Sequence, residues 1–234
     1  MSSFKLALVA LTAAFTLTAG AAHADSFTTG NTYSGTVNFN SSAGELTFSI
    51  NGQKETAGGG NFAGSTGIVN GKATTFTEVY CVDLFDTISN NTTYKATYST
   101  TGVVNNHTVN NASEIAWLIT NLAPTDTTAT QDEALQAAIW KTEYGSSFSL
   151  LTNDNSSALD TDYANDLLAL GNNTAAVNSV LWVSSVNSNR SDAQGQVAYD
   201  PAPAVPEPGT LSLFGTGIIG LAGIVRRRFS SSVA

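Results

Sequence analysis

Cys81 is the only cysteine in the 234-residue chain, and it stands in Tyr80-Cys81-Val82-Asp83-Leu84. A single thiol excludes an internal disulfide framework and any multi-cysteine zinc site. Inside a strand-like apolar run, a lone cysteine ordinarily serves as a small buried hydrophobe. In an exported chain, however, an odd thiol invites intermolecular disulfides, so its presence asks for a reason. Gln136 asks for one too. In Leu135-Gln136-Ala137-Ala138-Ile139-Trp140 it precedes Ile139 by three residues and Trp140 by four, which places all three on one helical face. Ile139 and Trp140 call for burial, so the Gln136 carboxamide is carried to the core margin, where each unmet hydrogen-bonding position is costly. One reaction accounts for both residues. The thiol displaces ammonia from the γ-carboxamide and leaves an internal Cys–Gln thioester.

The rest of the chemical inventory is thin. The chain has two histidines, His23 and His107. A Ser-His-Asp triad would have to use His107, which reads as a solvated loop residue in Asn105-Asn106-His107-Thr108. Asp83 with Asp86, or Asp160 with Asp162 and Asp166, offer carboxylates for general acid-base work or for Ca²⁺. Neither set has EF-hand spacing, and Asp162 and Asp166 read as the wet face of a helix. No metal and no cofactor is expected.

The elements that must position Cys81 and Gln136 are legible in outline. Thr32–Phe39 and Glu45–Ile50 alternate apolar with polar side chains, and Asn51-Gly52 follows as a turn signal. Gly58-Gly59-Gly60-Asn61 reads as a loop. Residues 74–84 and 92–100, rich in Thr, Tyr, Phe and Val, read as strands. The pattern then turns helical. Asn111 and Glu114 stand at capping-box spacing before Ile115–Ile119, with Pro124 closing the segment, and Thr130 and Glu133 repeat the arrangement before Ala134–Trp140. A third helix is expected over Ser157–Leu170, stopped by Gly171. Strand character returns at 176–185 and 196–199. No internal repeat is present. The sum is an α+β domain, a β-sandwich or barrel-like body with a helical insertion.

Both ends read as addressing segments. Lys5, an apolar run from Leu6 to about Ala19 and Ala22-His23-Ala24 describe a secretory signal peptide over residues 1–24, followed by a body over 25–200. Residues 201–208 read PAPAVPEP, a stiff segment that continues neither a helix nor a central strand. An apolar stretch over 209–225 and Arg226-Arg227-Arg228 complete a tail spanning 201–234. The stretch is short for a membrane span, which needs about 20 residues, and the Arg cluster would stay cytoplasmic. A plain C-terminal membrane anchor is the alternative reading of this tail. The formal charge is −9, and residues 25–205 hold five basic and seventeen acidic side chains. Such a surface repels phosphate backbones, so nucleic-acid binding is not expected. Charged residues are only 12% of the chain, hydrophobic residues 42%, which separates it from acidic disordered tails.

Two resemblances follow. Val205-Pro206-Glu207-Pro208, the apolar stretch and Arg226-Arg227-Arg228 closely resemble the PEP-CTERM sorting signal of Gram-negative bacteria. That resemblance implies that an exosortase reads Pro206, Glu207 and Pro208, and that the tail anchors the chain transiently in the inner membrane. The tail is then removed, and the body is released or attached at the cell surface. Tyr80-Cys81-Val82-Asp83-Leu84, the helix Ile115-Ala116-Trp117-Leu118-Ile119-Thr120-Asn121 and Leu135-Gln136-Ala137-Ala138-Ile139-Trp140 resemble the thioester domains of bacterial surface adhesins. That resemblance implies a thioester between Cys81 and Gln136 and single-use covalent capture of an amine, such as a protein lysine, on another molecule. Tyr80, Trp140 and Ile139 are the expected pocket residues, and Trp117 a more distant core residue. Capture without turnover is not enzymatic. The alternatives are a non-covalent structural or adhesive matrix component in which Cys81 is merely buried, and a secreted hydrolase using the acidic residues.

Overall fold

Alternation builds the early strands. In the computed structural model, which describes residues 30–199 apart from 43, 152, 153, 188 and 190, β1 (Thr32–Asn38) buries Val37 while Thr32 and Ser34 face solvent. Along β2 (Gly44–Ile50), Leu46, Phe48 and Ile50 point inward. Asn51 and Gly52, both at positive φ, turn the chain into β3 (Gln53–Gly59), the backbone that a two-residue hairpin needs. Asn70-Gly71 repeats the device between β4 (Thr66–Val69) and β5 (Lys72–Thr75). β6 (Glu78–Cys81), β7 (Thr93–Ser99) and a small hairpin of β8 (Val103–Val104) with β9 (His107–Thr108) follow. After α1 (Ala112–Asn121), α2 (Ala129–Tyr144), β10 (Phe148–Leu150) and α3 (Ser157–Leu170), the described chain ends on β11 (Leu181–Val186) and β12 (Gln196–Tyr199).

Seven strands form one antiparallel sheet in the order β5-β4-β1-β7-β11-β12-β6, and β10-β2-β3 form a second. The order itself demands curvature. β5 and β6 lie at opposite edges, which a flat sheet of this width would hold about 29 Å apart. Thr75 and Glu78 are consecutive strand ends in the chain, and three extended residues span only about 11 Å. The sheet therefore curls into a half-barrel. Across the near-closure, Phe62 donates its N–H to Val79 O and Phe76 its N–H to Ser65 O.

α2 is the hub. It contacts β2, β3, β6 and β10 on one side and α1 and α3 on the other, and every residue from Ala134 to Trp140 is buried. A helix apolar on nearly all sides belongs in an interior. Trp140 and Ala137 join a core with Phe48, Phe148, Val79 and Cys81. Leu135, Ala138 and Ile139 join a second with Tyr80, Ile115, Leu118 and Trp182. All described residues belong to one compact unit, Ser26–Pro201.

Several expectations are corrected. The stretch 74–84 is not one strand but β5 and β6, because Phe76 folds back onto Ser65 rather than continuing the ladder. Gly58 and Gly59 belong to β3 instead of a loop. Asn111 starts α1 in the left-handed conformation with no side-chain cap, its amide donating instead to Thr142 O at 2.8 Å. α2 starts earlier than the Thr130–Glu133 pair suggests. Thr128 caps it by accepting from the Gln131 N–H at 3.2 Å, and Gln131 Oε1 accepts from the Thr127 N–H. The strand expected from 176 starts only at Leu181, after a single 3₁₀ turn over Val177–Ser179. α3 and β12 occupy the expected spans. The signal peptide and the whole sorting tail lie outside the described residues. Among the described residues, no helix is long and apolar enough to cross a membrane.

Candidate functional site

Cys81 ends β6, the last strand of the large sheet. Its backbone N–H and C=O face the open edge, and there the partner is a side chain. The Cys81 N–H donates to Gln136 Oε1 at 2.9 Å, and Gln136 Nε2 donates to the Cys81 carbonyl at 2.7 Å. The carboxamide thus makes the two hydrogen bonds that a neighbouring strand would make. Both residues are 0% exposed. This arrangement brings together the thiol-bearing residue and the amide that the spacing singled out.

Local structure holds Gln136 in place. Gly59 in β3 leaves the room: a Cβ there would come 2.7 Å from Leu46 Cδ1 and 3.3 Å from Gln136 Cγ. One turn before Gln136, Asp132 Oδ1 accepts the Tyr80 hydroxyl at 2.8 Å. The expected pocket residues divide between two cores. Successive strand residues point to opposite faces, so Tyr80 leaves the Cys81 side and packs with Ile139 and Trp182. Trp140 stays with Cys81, its ring 5.2 Å from Phe48 and 6.0 Å from Phe148. Trp117 packs at the margin of the second core. A cavity of about 380 Å³ opens beside the residues that follow Cys81, lined by Val82, Asp83, Phe85, Glu143 and Tyr144 among others. Tyr144 borders it, accepting the Leu84 N–H and donating to Val82 O.

The electrostatics favour neutral groups. Burial, and then the Asp83 charge, push the Cys81 thiol up, so it stays protonated at neutral pH. Burial likewise raises Asp132, against the pull of the Tyr80 hydrogen bond. Glu78, Asp126 and Asp166 rise to about 7, burial first in each case, with neighbouring carboxylates adding to it. Asp162 and Asp166 are both half-buried rather than on a wet helix face. His107 is exposed on the β8–β9 hairpin. Among the described residues, no group of three or more His, Cys, Asp or Glu side chains is placed to hold a metal ion.

Three residues of the site escape a reading of spacing alone. Asp132 announces itself only as the residue one turn before Gln136, and Gly59 only once β3 is paired with β2. Gln196 opens β12 directly opposite Cys81. It is 0% exposed, and neither atom of its carboxamide has a hydrogen-bond partner among the described residues. A lone Gln in the strand Gln196-Val197-Ala198-Tyr199 is its only trace in the sequence.

Comparison with known families agrees with this geometry. Residues 78–173 match the thioester domain, a span that opens with β6 and includes Cys81, α1, Gln136 and α3. Residues 204–228 match the PEP-CTERM protein-sorting motif, including Pro206-Glu207-Pro208 and the Arg triplet. Neither a curated protein nor a solved structure matches the chain. The chain thus matches a thioester-domain segment ahead of a PEP-CTERM sorting motif, a pairing that supports an exported, surface-directed, adhesin-like protein.

Proposed function

We propose that Cys81 and Gln136 form an internal thioester that captures an amine on a target molecule, such as a protein lysine, and so attaches this protein covalently. The observation that carries the reading is the two-point hydrogen bonding of the Gln136 carboxamide to the Cys81 backbone, inside a fully buried site. The Cys81 sulfur adds to the Gln136 Cδ, and negative charge develops on Oε1, where the Cys81 N–H already donates. The sulfur's proton passes to Nε2, the C–N bond breaks, and ammonia leaves. In capture, the amine nitrogen bonds to Cδ, the C–S bond breaks, and a proton from the amine returns to the sulfur. The product is an amide at Gln136 and a free Cys81 thiol. Each molecule reacts once, so the protein acts as a reagent and not as an enzyme. Burial slows hydrolysis by excluding water, and a target reaches the carbonyl through local opening at the β6 edge. Export would use residues 1–24, and an exosortase would cut at Pro206-Glu207-Pro208 after transient anchoring by 209–225.

Intact-mass measurement of the native secreted protein tests this reading. The expected mass is lighter than the sequence by one ammonia. Methylamine should abolish the deficit, and Cys81→Ala should never show it. One observation favours the competing reading, a matrix or adhesive component without covalent chemistry: the Cys81 thiol is buried and held in its protonated, weakly nucleophilic form. A full sequence mass in fresh native protein would establish that reading and remove ours.

A further inference from the structure

Gln196 breaks a rule that buried amides keep. Side-chain amides sealed from water are hydrogen-bonded in the great majority of proteins, and a Gln offers two donors and an acceptor with two lone pairs. Gln196 is 0% exposed and uses none of them within the described residues. Nothing in the strand requires the residue. Val197 and Ala198 beside it are apolar and fully buried or nearly so, and Met or Leu would fill a comparable volume without the polar group.

Its address explains what the amide is for. Gln196 pairs with Cys81 in the β12–β6 register. The Cys81 N–H and C=O point away from β12, toward Gln136, while the next residue, Val82, donates its N–H to Gly195 O at 3.0 Å. Cys81 and Gln196 are therefore a non-hydrogen-bonded antiparallel pair, the kind whose Cα atoms approach to about 4.5 Å and whose side chains lie closest. Both side chains project to the same face. That face carries Val79 and Ala198, members of the core that includes Cys81 and Trp140. The unpartnered carboxamide thus stands beside the Cys81 thiol, on the side of the strand from which the sulfur must reach Gln136.

We infer that the Gln196 carboxamide receives the nitrogen that passes through this site, its Oε1 accepting an N–H of the ammonia that leaves and of the amine that enters. The inference rests on the thioester proposed above and assigns to it a residue outside the matched thioester-domain segment. Both nitrogens form or break a bond to the same carbon, so one acceptor serves both directions. A neutral amide suits the task better than a carboxylate. It accepts from an amine without holding it as an unreactive ammonium ion, and it keeps the surrounding core free of a buried charge. Among the described residues the acceptor has no partner, which costs stability and is the pattern expected of a group kept for a reaction.

The test uses the full secreted protein and Gln196→Met, with Gln196→Leu as a second apolar replacement. The measurements are intact mass, the rate of methylamine uptake, the rate of spontaneous hydrolysis, and thermal stability. Replacing an unsatisfied buried amide with an apolar group of like shape is neutral or stabilising, so both variants, compared at equal ammonia deficit, should melt no lower than the wild type. Methylamine uptake should slow roughly tenfold, the size of one lost hydrogen bond, while hydrolysis changes much less. A structural residue would move stability and both rates together. Wild-type aminolysis in both variants, or a lowered melting temperature in both at a wild-type ammonia deficit, overturns the inference. A wild-type protein with no ammonia deficit overturns the thioester itself and is read from the wild type alone, so the two failures are separate.

Discussion

The Tyr80 hydroxyl donates to Asp132 Oδ1 across 2.8 Å, tying β6 to α2 one residue before Cys81 and one helical turn before Gln136. Tyr80 projects to the face opposite the thiol, so the bond ties strand to helix without using the Cys81 side chain. Tyr80→Phe keeps the packing and removes the bond. It should cost about 1–3 kcal/mol in denaturant unfolding. The loss should be larger at mildly basic than at mildly acidic pH, because Tyr80 stabilises the charged form of Asp132.

Gln136 is held by the Cys81 backbone rather than by its sulfur. Cys81→Ala therefore keeps both hydrogen bonds and should fold with nearly wild-type circular dichroism while losing all reactivity with amines. Gln136→Ala does the reverse. It orphans a buried N–H and a buried C=O and leaves a cavity at the hub helix, so about 2–5 kcal/mol of stability should be lost. Equal melting temperatures for the two variants would contradict this arrangement.

Gly59→Ala tests the space over Gln136. The new methyl group would press on Leu46 Cδ1 and Gln136 Cγ, and overpacking of this kind costs about 1–3 kcal/mol. Because the contact bears on Gln136, the fraction of molecules lacking ammonia should fall as well, as read by intact mass.

The pH dependence of stability has a definite sign. Glu78, Asp126, Glu143 and Asp166 have carboxyl groups raised to about 7 in the folded protein, burial being the first cause in each. The folded state therefore binds more protons than the unfolded chain between the ordinary carboxyl range and about 7. Stability falls as pH rises through that window and is lowest above it. Melting temperatures should climb on mild acidification from about pH 8 to about pH 5. Asp166→Asn should raise the value at pH 8 and flatten the slope; an unchanged slope would show that Asp166 does not contribute.

Much of this was legible because local pattern and tertiary context agree. Ser157–Leu170 has a Ser cap before it and Gly171 after it, and both are used. Cys81 and Gln136 stood out because each residue type is out of place where its neighbours put it. What could not be read was pairing. The chain passes from β5 to β6 through two residues, yet the strands belong to opposite edges, a fact that only the closed curl of the sheet explains. Asn70-Gly71 was a turn signal as clear as Asn51-Gly52, and it marks β4 and β5. Ile139 and Trp140 both required burial, but a helix enclosed on all sides sends neighbours into different cores. Gln196 depends on register across two strands far apart in sequence, which spacing along one chain does not encode.

The hydrogen-bonded pair also defines a segment. Cys81 and Gln136 are 55 positions apart, and between them lie β7, the β8–β9 hairpin and α1. A bond between their side chains would turn that third of the body into a macrocycle. Closing a ring of this size restricts the unfolded chain by about 4 kcal/mol on the model used for disulfides. Binding a target would cut the ring open. The attached protein would then be the looser one, with its tether point on α2 and its β6 edge no longer stitched to it by covalent bonds.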